Sequence, residues 1–305
     1  MGPTEHGTGR GGAVTPAHSQ GEPGIARTRD GRELYYQRLA GPAGAEALPT
    51  VVFEGGLAAG RSYWAPVQAA LTDVAPTVVY DRSGLGRSPA APAGVSRRLH
   101  TLAEDLGELL DHLGPEGPYV LVGHSWGGPL VRLAAARPAR VAGLVLVDPS
   151  DEACDLLFQP SMRRAERVGQ LATVLMARLG LLGRAYRSLT AALPPDAAAD
   201  MRAEGYTVAM TRTRGRELED AAGDLRALLE NPPGLAGLPV TVVSAGRTSV
   251  GMPESVRERA TVSHAFRARQ SPHGRHVVLP EADHMVLTTS AAELAQEVRR
   301  LVVSL

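Results

Sequence analysis

One serine in a glycine-rich turn constrains the fold of this chain more than any other feature. Residues 120–128 read VLVGHSWGG, so an apolar run leads into Ser125, with glycine two positions before it and two after it. This G-x-S-x-G spacing is typical of a serine on a sharp strand-to-helix turn, where larger neighbours would collide with the backbone. The alanine-rich residues 130–136 favour the helix. The pattern therefore predicts a strand, a strained turn that exposes a hydroxyl, and a helix.

Short apolar runs alternate with longer helical patterns along the chain. Runs of this kind suit strands that are buried on both faces, so the alternation predicts an α/β fold with a doubly wound, mostly parallel sheet. Two runs around the turn Asp30-Gly31, residues 24–28 and 33–38, predict an antiparallel hairpin that opens the sheet. The other predicted strands are residues 50–53, 77–80, 119–122, 144–147, 240–244 and 276–279, and the predicted helices are residues 63–72, 99–113, 130–136 and 291–303.

Charge and cysteine content narrow the possible partners and compartment. The formal net charge is zero, and every basic side chain apart from histidine is an arginine, with no basic run interleaved with aromatic residues. Neither a nucleic acid nor a membrane is therefore expected as a partner. The single cysteine, Cys154, excludes an intrachain disulfide and fits a reducing compartment. Residues 1–24 predict a disordered tail without a signal peptide, and a cytoplasmic location is expected.

The alternation breaks once, between residues 151 and 237, which have helical periodicity and no good strand. We expect this segment to form a helical cap inserted between the sixth and seventh strands, whereas residues 25–150 and 238–305 form the core. Phe158, Met162 and Tyr206 in this segment either hold the cap together or line a substrate pocket beneath it. Leu57 and Met285, which lie beside the candidate site residues, complete the predicted pocket lining.

Several motifs together resemble the α/β-hydrolase superfamily over about residues 25–305. They are the strand-turn-helix around Ser125, the loop FEGGL at residues 53–57, the segment DRSGLGRS at residues 81–88 and a late histidine, His284. The resemblance implies that Ser125 is a nucleophile and that His284, on the loop after the last strand, is the base that accepts its proton.

The acid that orients the histidine is less easily placed. Most of the superfamily carries it after the seventh strand, but here that loop, residues 245–253, contains no carboxylate. A minority of the superfamily carries the acid directly after the sixth strand, where this chain has Asp148, 23 residues after Ser125. Asp148 is therefore the predicted acid, with Asp151 and Glu254 as alternatives. This prediction requires the Asp148 carboxylate to lie within hydrogen-bonding reach of the His284 ring.

The resemblance also predicts two backbone donors for a negatively charged oxygen. One is the amide of Trp126, and the other is the amide of Gly56, with Leu57 as the alternative. Where family members carry a histidine in this loop, the chain has Glu54. Glu54 forms either a buried ion pair, for instance with Arg82, or a contact with a polar group of the substrate.

These residues favour a serine hydrolase that cleaves a carboxylic ester, lactone or thioester of small size through an acyl-enzyme, without cofactor or metal. An aspartate at the elbow, as in dehalogenases and epoxide hydrolases, is absent, because position 125 is serine. Acyl transfer, C–C cleavage or cyclisation could use the same three residues. A ligand-binding protein with a decayed site is a further alternative. The sequence indicates neither the natural substrate nor the oligomeric state.

Overall fold

The computed structural model describes residues 18–44, 48–114, 117–136, 140–235 and 237–305. The strands are β1 (Glu22–Arg27), β2 (Glu33–Leu39), β3 (Thr50–Glu54), β4 (Thr77–Tyr80), β5 (Tyr119–His124), β6 (Val141–Val147), β7 (Val240–Ala245) and β8 (Gly274–Leu279). The helices are α1 (Ala65–Ala69), α2 (Leu99–Leu113), α3 (Gly127–Ala135), α4 (Pro160–Arg178), α5 (Leu182–Ala185), α6 (Arg187–Ala191), α7 (Pro195–Glu204), α8 (Val208–Leu218), α9 (Ala221–Glu230), α10 (Glu254–Arg269), α11 (Val286–Thr289) and α12 (Ala291–Val303), and 3-10 turns form at Arg61–Trp64 and Asp155–Phe158.

The eight described strands form one sheet in the order β1-β2-β4-β3-β5-β6-β7-β8. The pairs β1–β2 and β2–β4 are antiparallel, and the remaining neighbours are parallel. Successive side chains along a strand point to opposite faces, so Val52 and Leu121 pack in one core and Val51 and Val120 in the other. The predicted doubly wound, mostly parallel sheet is confirmed, and it brings the carboxyl ends of β3, β5, β6, β7 and β8 to one edge.

Helix α10 was not predicted from the sequence. Its buried side chains include polar ones, among them Arg257, Ser263, His264 and Arg267, so the helix has no apolar stripe to reveal it. These side chains find partners at the end of β6: Arg257 pairs with Asp148, and Arg267 pairs with Asp151. The helix is therefore held by buried charges rather than by a hydrophobic face.

Residues 18–24 of the predicted tail are structured. Strand β1 starts at Glu22, and Gln20 is buried, with its side-chain amide donating to the carbonyl of Arg61. Ser19 binds the carboxylate of Asp196 in α7. Residues 18–24 therefore lie outside any disordered tail because they are tied to the rest of the molecule, while residues 1–17 of the predicted tail lie outside the described residues.

Residues 151–237, which we call the inserted segment, contain helices α4–α9 and no strand among the described residues. Helix α9 nevertheless packs with the core, since Ala221, Leu225 and Leu228 share a hydrophobic cluster with α2. In addition, Asp224 accepts a hydrogen bond from the backbone amide of Leu99 at the start of α2. The part of the inserted segment that stands above the sheet edge therefore ends before α9. Among the described helices, none is long and apolar enough to span a bilayer.

Candidate active site

Ser125 lies on the turn between β5 and α3 and has a positive φ of 52°. A Cβ atom on Gly123 would approach the carbonyl oxygen of Gly127 to 2.4 Å, and one on Gly127 would meet the carbonyl oxygens of Glu54 and Gly55 at 2.7 Å. Glycine is thus sterically required at both positions. Ser125 is half-buried, whereas the residues on either side of it are buried, so the turn exposes the hydroxyl as the sequence pattern predicts.

A continuous chain of hydrogen bonds joins three of the predicted residues. The Ser125 hydroxyl lies 3.1 Å from Nε2 of His284, and Nδ1 of His284 lies 2.6 Å from Oδ2 of Asp148. In the neutral tautomer that this pattern requires, Nδ1–H donates to the carboxylate and Nε2 can accept the serine proton. The distance that the sequence demanded between Asp148 and the His284 ring is therefore met.

Asp148 follows β6 directly, has a positive φ of 42° and is buried. Its carboxylate also accepts hydrogen bonds from the guanidinium of Arg257 and from the backbone amide of Ala245 at the end of β7. Burial alone would raise the pKa of Asp148, but His284, His264 and Arg257 outweigh it and hold that pKa well below its ordinary value. The carboxylate stays ionised at neutral pH and can stabilise a protonated His284.

The two alternative acids lie elsewhere. Asp151 binds Arg267 through its carboxylate at 2.7 Å and accepts a hydrogen bond from the backbone amide of Ala153. Glu254 is exposed in the first turn of α10. Neither has a hydrogen bond or ion pair with His284 among the described residues, so the geometry favours Asp148 over both.

Arg82 fixes the loop that follows β3. Its guanidinium donates to the carbonyl oxygens of Gly55 at 2.9 Å and Gly56 at 2.7 Å. Because a trans peptide is planar, the amide of the next residue points away from each carbonyl. The amides of Gly56 and Leu57 therefore both point away from Arg82, and within the described residues neither donates to an acceptor.

This loop lies directly against Ser125. A Cβ atom on Gly56 would come within 3.2 Å of Cβ of Ser125 and within 3.1 Å of Nδ1 of His124. The amide of Trp126, at the start of α3, likewise has no acceptor among the described residues, and a helix N-terminus favours negative charge. Free backbone donors thus flank the serine hydroxyl from two elements, with Gly56 and Leu57 both available on one side.

Glu54 forms the buried pair with Arg82 that the sequence suggested. Its carboxylate binds the Arg82 guanidinium and accepts a hydrogen bond from the hydroxyl of Tyr80. Arg82 also pairs with Glu217 of helix α8 at 2.8 Å. Burial would raise the pKa of Glu217, but Arg82 and Arg97 outweigh it and lower that pKa. Glu54 is therefore a structural group behind the loop rather than a wall of the cavity.

Two further contacts connect helix α8 with the loop after β3, and the turn at Ser125 with the backbone of His284. Glu217 accepts a hydrogen bond from the backbone amide of Ala58, whose φ is 52°. His124 is buried, and its Nε2 lies 2.8 Å from the carbonyl oxygen of His284. Burial lowers the pKa of His124 to about 3, so the neutral ring donates this hydrogen bond and ties the backbone of His284 to the elbow.

A cavity of about 310 Å³ opens above Ser125 and His284. Of the predicted pocket residues, Leu57, Tyr206 and Met285 line it. Phe158 and Met162 do not line it, because they lie near the start of the inserted segment, in the 3-10 turn and the first turn of α4. Phe158 packs against the main core, beneath the guanidinium of Arg226. The inserted segment contributes further lining residues, which are Thr173, Leu182, Tyr186, Leu189, Met201, Gly205, Met210 and Arg214. A larger cavity of about 520 Å³ between α4 and α8 contains none of Ser125, Asp148 and His284.

Sequence reasoning missed Arg257, Glu217 and Arg214, three charged residues at or near the site. Arg257 lies on the unpredicted helix α10, and the other two lie on α8 in the inserted segment. Arginine is spread along the whole chain, so its position in the sequence marks no site. Only the fold shows which charged side chains meet the strand ends.

Comparisons with known proteins identify the family. A model described as the α/β hydrolase fold matches residues 49–290. Lipase LipV of Mycobacterium tuberculosis is 42% identical over 120 residues, which are 39% of this chain and 42% of the lipase. The match therefore spans less than half the length of that relative.

Solved structures give the same fold over nearly the whole chain. A thermophilic esterase from Thermogutta terrifontis has a TM-score of 0.63 at 20% identity and covers 93% of this chain and 98% of its own. An epoxide hydrolase from Vigna radiata has a TM-score of 0.67 at 17% identity, with coverages of 93% and 99%. Identities this low show the fold alone, but the family model spans most of the sequence: the chain belongs to the α/β hydrolase fold family.

Proposed function

We propose that this protein is a serine hydrolase that cleaves a carboxylic ester, lactone or thioester through an acyl-enzyme intermediate. The observation that carries the proposal is the hydrogen-bonded series from Ser125 through His284 to Asp148. A serine hydroxyl is a weak nucleophile at neutral pH and needs an adjacent base, and the base needs a group that fixes its tautomer. In this protein, His284 is the base beside Ser125, and Asp148 is the group bonded to the His284 ring.

In the first half of the reaction, Oγ of Ser125 attacks the carbonyl carbon while its proton passes to Nε2 of His284. The carbonyl oxygen becomes an oxyanion, and Asp148 stabilises the imidazolium. The bond to the leaving oxygen or sulfur then breaks, and the leaving group takes the proton from His284. The acyl group stays on Ser125.

In the second half, water attacks the acyl carbon and gives its proton to His284. The tetrahedral intermediate collapses, the acid leaves, and Ser125 regains the proton. In both halves the amide of Trp126 and that of Gly56 or Leu57 are the donors we assign to the oxyanion. Each such donor lowers the barrier by about 3 kcal/mol in comparable enzymes.

The test is hydrolysis of p-nitrophenyl esters from acetate to palmitate, together with labelling by a fluorophosphonate probe. Ser125→Ala and His284→Ala should abolish hydrolysis, and Ser125→Ala should also abolish labelling. Asp148→Asn should lower kcat by about 10⁴-fold, because the histidine loses its fixed tautomer. Asp155→Asn, an exposed aspartate seven positions further along the chain, is the matched control and should keep wild-type kcat.

Absence of labelling in the wild type would refute the proposal and favour a binding role. Wild-type kcat in Asp148→Asn would reject Asp148 as the acid. Products from an added alcohol acceptor, measured in the same assay, would reveal acyl transfer in place of hydrolysis.

A further inference from the structure

The cavity above Ser125 has an unusual charge content. Among its described lining residues are tyrosines, leucines and methionines, but no aspartate or glutamate. Two histidines, His124 and His284, lie beside the serine. Among the described lining residues, the side chain that carries a permanent charge is that of Arg214 on helix α8. A cation in a mostly apolar cavity loses hydration without gaining a counterion, which costs free energy unless an anion binds there.

Arg214 differs in this respect from the buried arginines of the molecule. Each of those has a carboxylate within 4 Å, as in the pairs of Arg61 with Asp81 and Arg132 with Glu152. The same holds for Arg82, Arg97, Arg257 and Arg267. Within the described residues Arg214 has no such pair, and its hydrogen bond is to the neutral side-chain oxygen of Gln170, at 2.5 Å from Nη1.

The acidic groups whose charge acts on Arg214 already pair with other arginines. Glu166 pairs with Arg163 at 2.9 Å, and Glu217 pairs with Arg82 and Arg97. Burial lowers the pKa of Arg214, against the opposing influence of Tyr186, Glu166 and Glu217. An arginine keeps its charge under such conditions because its ordinary pKa is above 12. Within the described residues the guanidinium has no hydrogen bond besides that to Gln170, so its remaining N–H groups are available to a ligand.

We infer that the cavity accepts an acyl substrate whose end remote from the scissile bond carries an anionic oxygen group, a carboxylate or a phosphate, which binds Arg214. This inference rests on the proposed function, because it assigns the scissile bond to Ser125. A guanidinium offers two parallel N–H donors that match either group, and the bond is charge-assisted. The apolar walls between Ser125 and Arg214 suit a methylene or aromatic linker. A cavity of about 310 Å³ limits the substrate to a small molecule.

The experiment compares charged and neutral substrates of equal length. Methyl hemiesters of dicarboxylic acids, from glutarate to sebacate, are matched with their neutral methyl diesters. In the phosphate arm, methyl esters of ω-phosphooxyalkanoic acids are matched with their neutral dimethyl phosphate triesters. In one of the two arms, we expect wild-type kcat/KM to be roughly ten- to a hundredfold higher for the charged substrate than for its neutral partner, at one or two chain lengths. One charge-assisted hydrogen-bonded pair allows a preference of this size. The preference should weaken as salt rises.

Arg214→Gln should abolish this preference by raising KM for the charged substrates, so that the ratio of charged to neutral kcat/KM falls to about one, while fluorophosphonate labelling reports whether Ser125 is still reactive. Arg214→Lys keeps the charge but loses the two parallel N–H donors of the guanidinium, so it should retain part of the preference. This variant also replaces the glutamine variant if that one fails to fold. Arg212→Gln, an exposed arginine on the same helix, is the control and should behave as wild type. A wild type with no preference in either arm, or a preference unchanged in Arg214→Gln, would overturn the inference.

Failure of the proposed function would be recognised separately, by the absence of both ester hydrolysis and labelling. In that case calorimetric binding of adipate and of hexyl phosphate to the wild type and to Arg214→Gln decides the question. Binding that depends on Arg214 supports the anion site, and equal or absent binding in the two proteins contradicts it.

Discussion

Backbone strain is concentrated at the residues that build the site. Among the described residues other than glycine, those with positive φ are Ala58, Ser125 and Asp148. Such conformations cost about 1–3 kcal/mol each and persist only where surrounding contacts enforce them. Here the contacts are hydrogen bonds, from the Ala58 amide to Glu217, from the Ser125 amide to Val147 and from the Asp148 amide to Val243. The three strained residues therefore set the direction of the loop after β3, of the Ser125 hydroxyl and of the Asp148 carboxylate.

Gly127 provides a direct test of this packing. Gly127→Ala should lower the free energy of unfolding by about 1–3 kcal/mol, because the new methyl group meets two backbone oxygens that cannot rotate away. It should also lower kcat, since those oxygens belong to Glu54 and Gly55, which lead into the loop beside Ser125. Urea unfolding and ester hydrolysis measure the two effects.

Gly169 in helix α4 is the matched control, because a Cβ atom there meets nothing within 4 Å. Gly169→Ala should raise the free energy of unfolding by up to about 1 kcal/mol through helix propensity alone, with unchanged kcat. Equal effects of the two substitutions would show that the elbow tolerates a side chain.

The chemistry-bearing residues could be predicted from the sequence where local rules apply. Glycine spacing marks Ser125, and the resemblance to the α/β-hydrolase superfamily, together with the missing carboxylate after β7, points to Asp148. The grip of Arg82 on two carbonyl oxygens could not be predicted, because it joins residues more than 25 positions apart without any local pattern.

At the scale of elements, helix α8 reaches from the inserted segment into the loop beside Ser125. Glu217 binds the Ala58 amide on one side and Arg82 on the other, and Arg82 in turn binds the carbonyl oxygens of Gly55 and Gly56. The direction of the loop amides thus depends on a helix that is distant in sequence.

Glu217→Gln should lower kcat by roughly tenfold with little change in KM, because the loop donors lose part of their alignment. Complete loss of one oxyanion donor would cost roughly 10²–10³-fold. Glu219→Gln, on an exposed glutamate just beyond the same helix, is the control and should leave kcat unchanged. A change confined to KM in Glu217→Gln would indicate that the loop is fixed without this helix.

Apolar periodicity in the sequence predicted only those helices whose buried side chains are mostly apolar. Helices α2 and α12 have the predicted bounds, residues 99–113 and 291–303, and each packs a stripe of leucine and valine or alanine. Helix α10 escaped prediction because its buried face carries Arg257, His264 and Arg267. Its partners, Asp148 and Asp151, lie about a hundred residues earlier.

For the whole molecule, buried ion pairs join the inserted segment to the sheet. Arg61 binds Asp81, which follows β4, and also Asp200 and Glu204 of α7. Breaking a buried pair by removing one partner costs about 3–5 kcal/mol, although the intact pair adds little compared with apolar packing. These contacts therefore fix how the segment sits on the sheet more than they add to overall stability.

The stability of this arrangement should depend on pH through Glu217. Its pKa in the folded protein is lowered, below the value of about 4.3 for an unfolded chain. Its contribution is fully present above that value and is lost as the pH falls through the folded pKa. The difference in the free energy of unfolding between wild type and Glu217→Gln should therefore be largest at pH 7 and shrink towards pH 3.

Urea titrations at several pH values measure this difference. A difference that grows as the solution is acidified would contradict the lowered pKa.

The contact between Glu217 and Ala58 limits which parts of this protein can be exchanged with those of a relative. A foreign segment in place of α4–α8 that lacked a carboxylate at this point would leave Arg82 with Glu54 and Arg97 with Asp105 as their remaining acidic partners, and the loop without its hydrogen bond to Glu217. A chimera made at the segment boundaries would therefore lose alignment of its reactive groups even if every pocket residue were correct. Residues 54–58, Arg82 and helix α8 form one transferable unit, and a new specificity has to be grafted with all three.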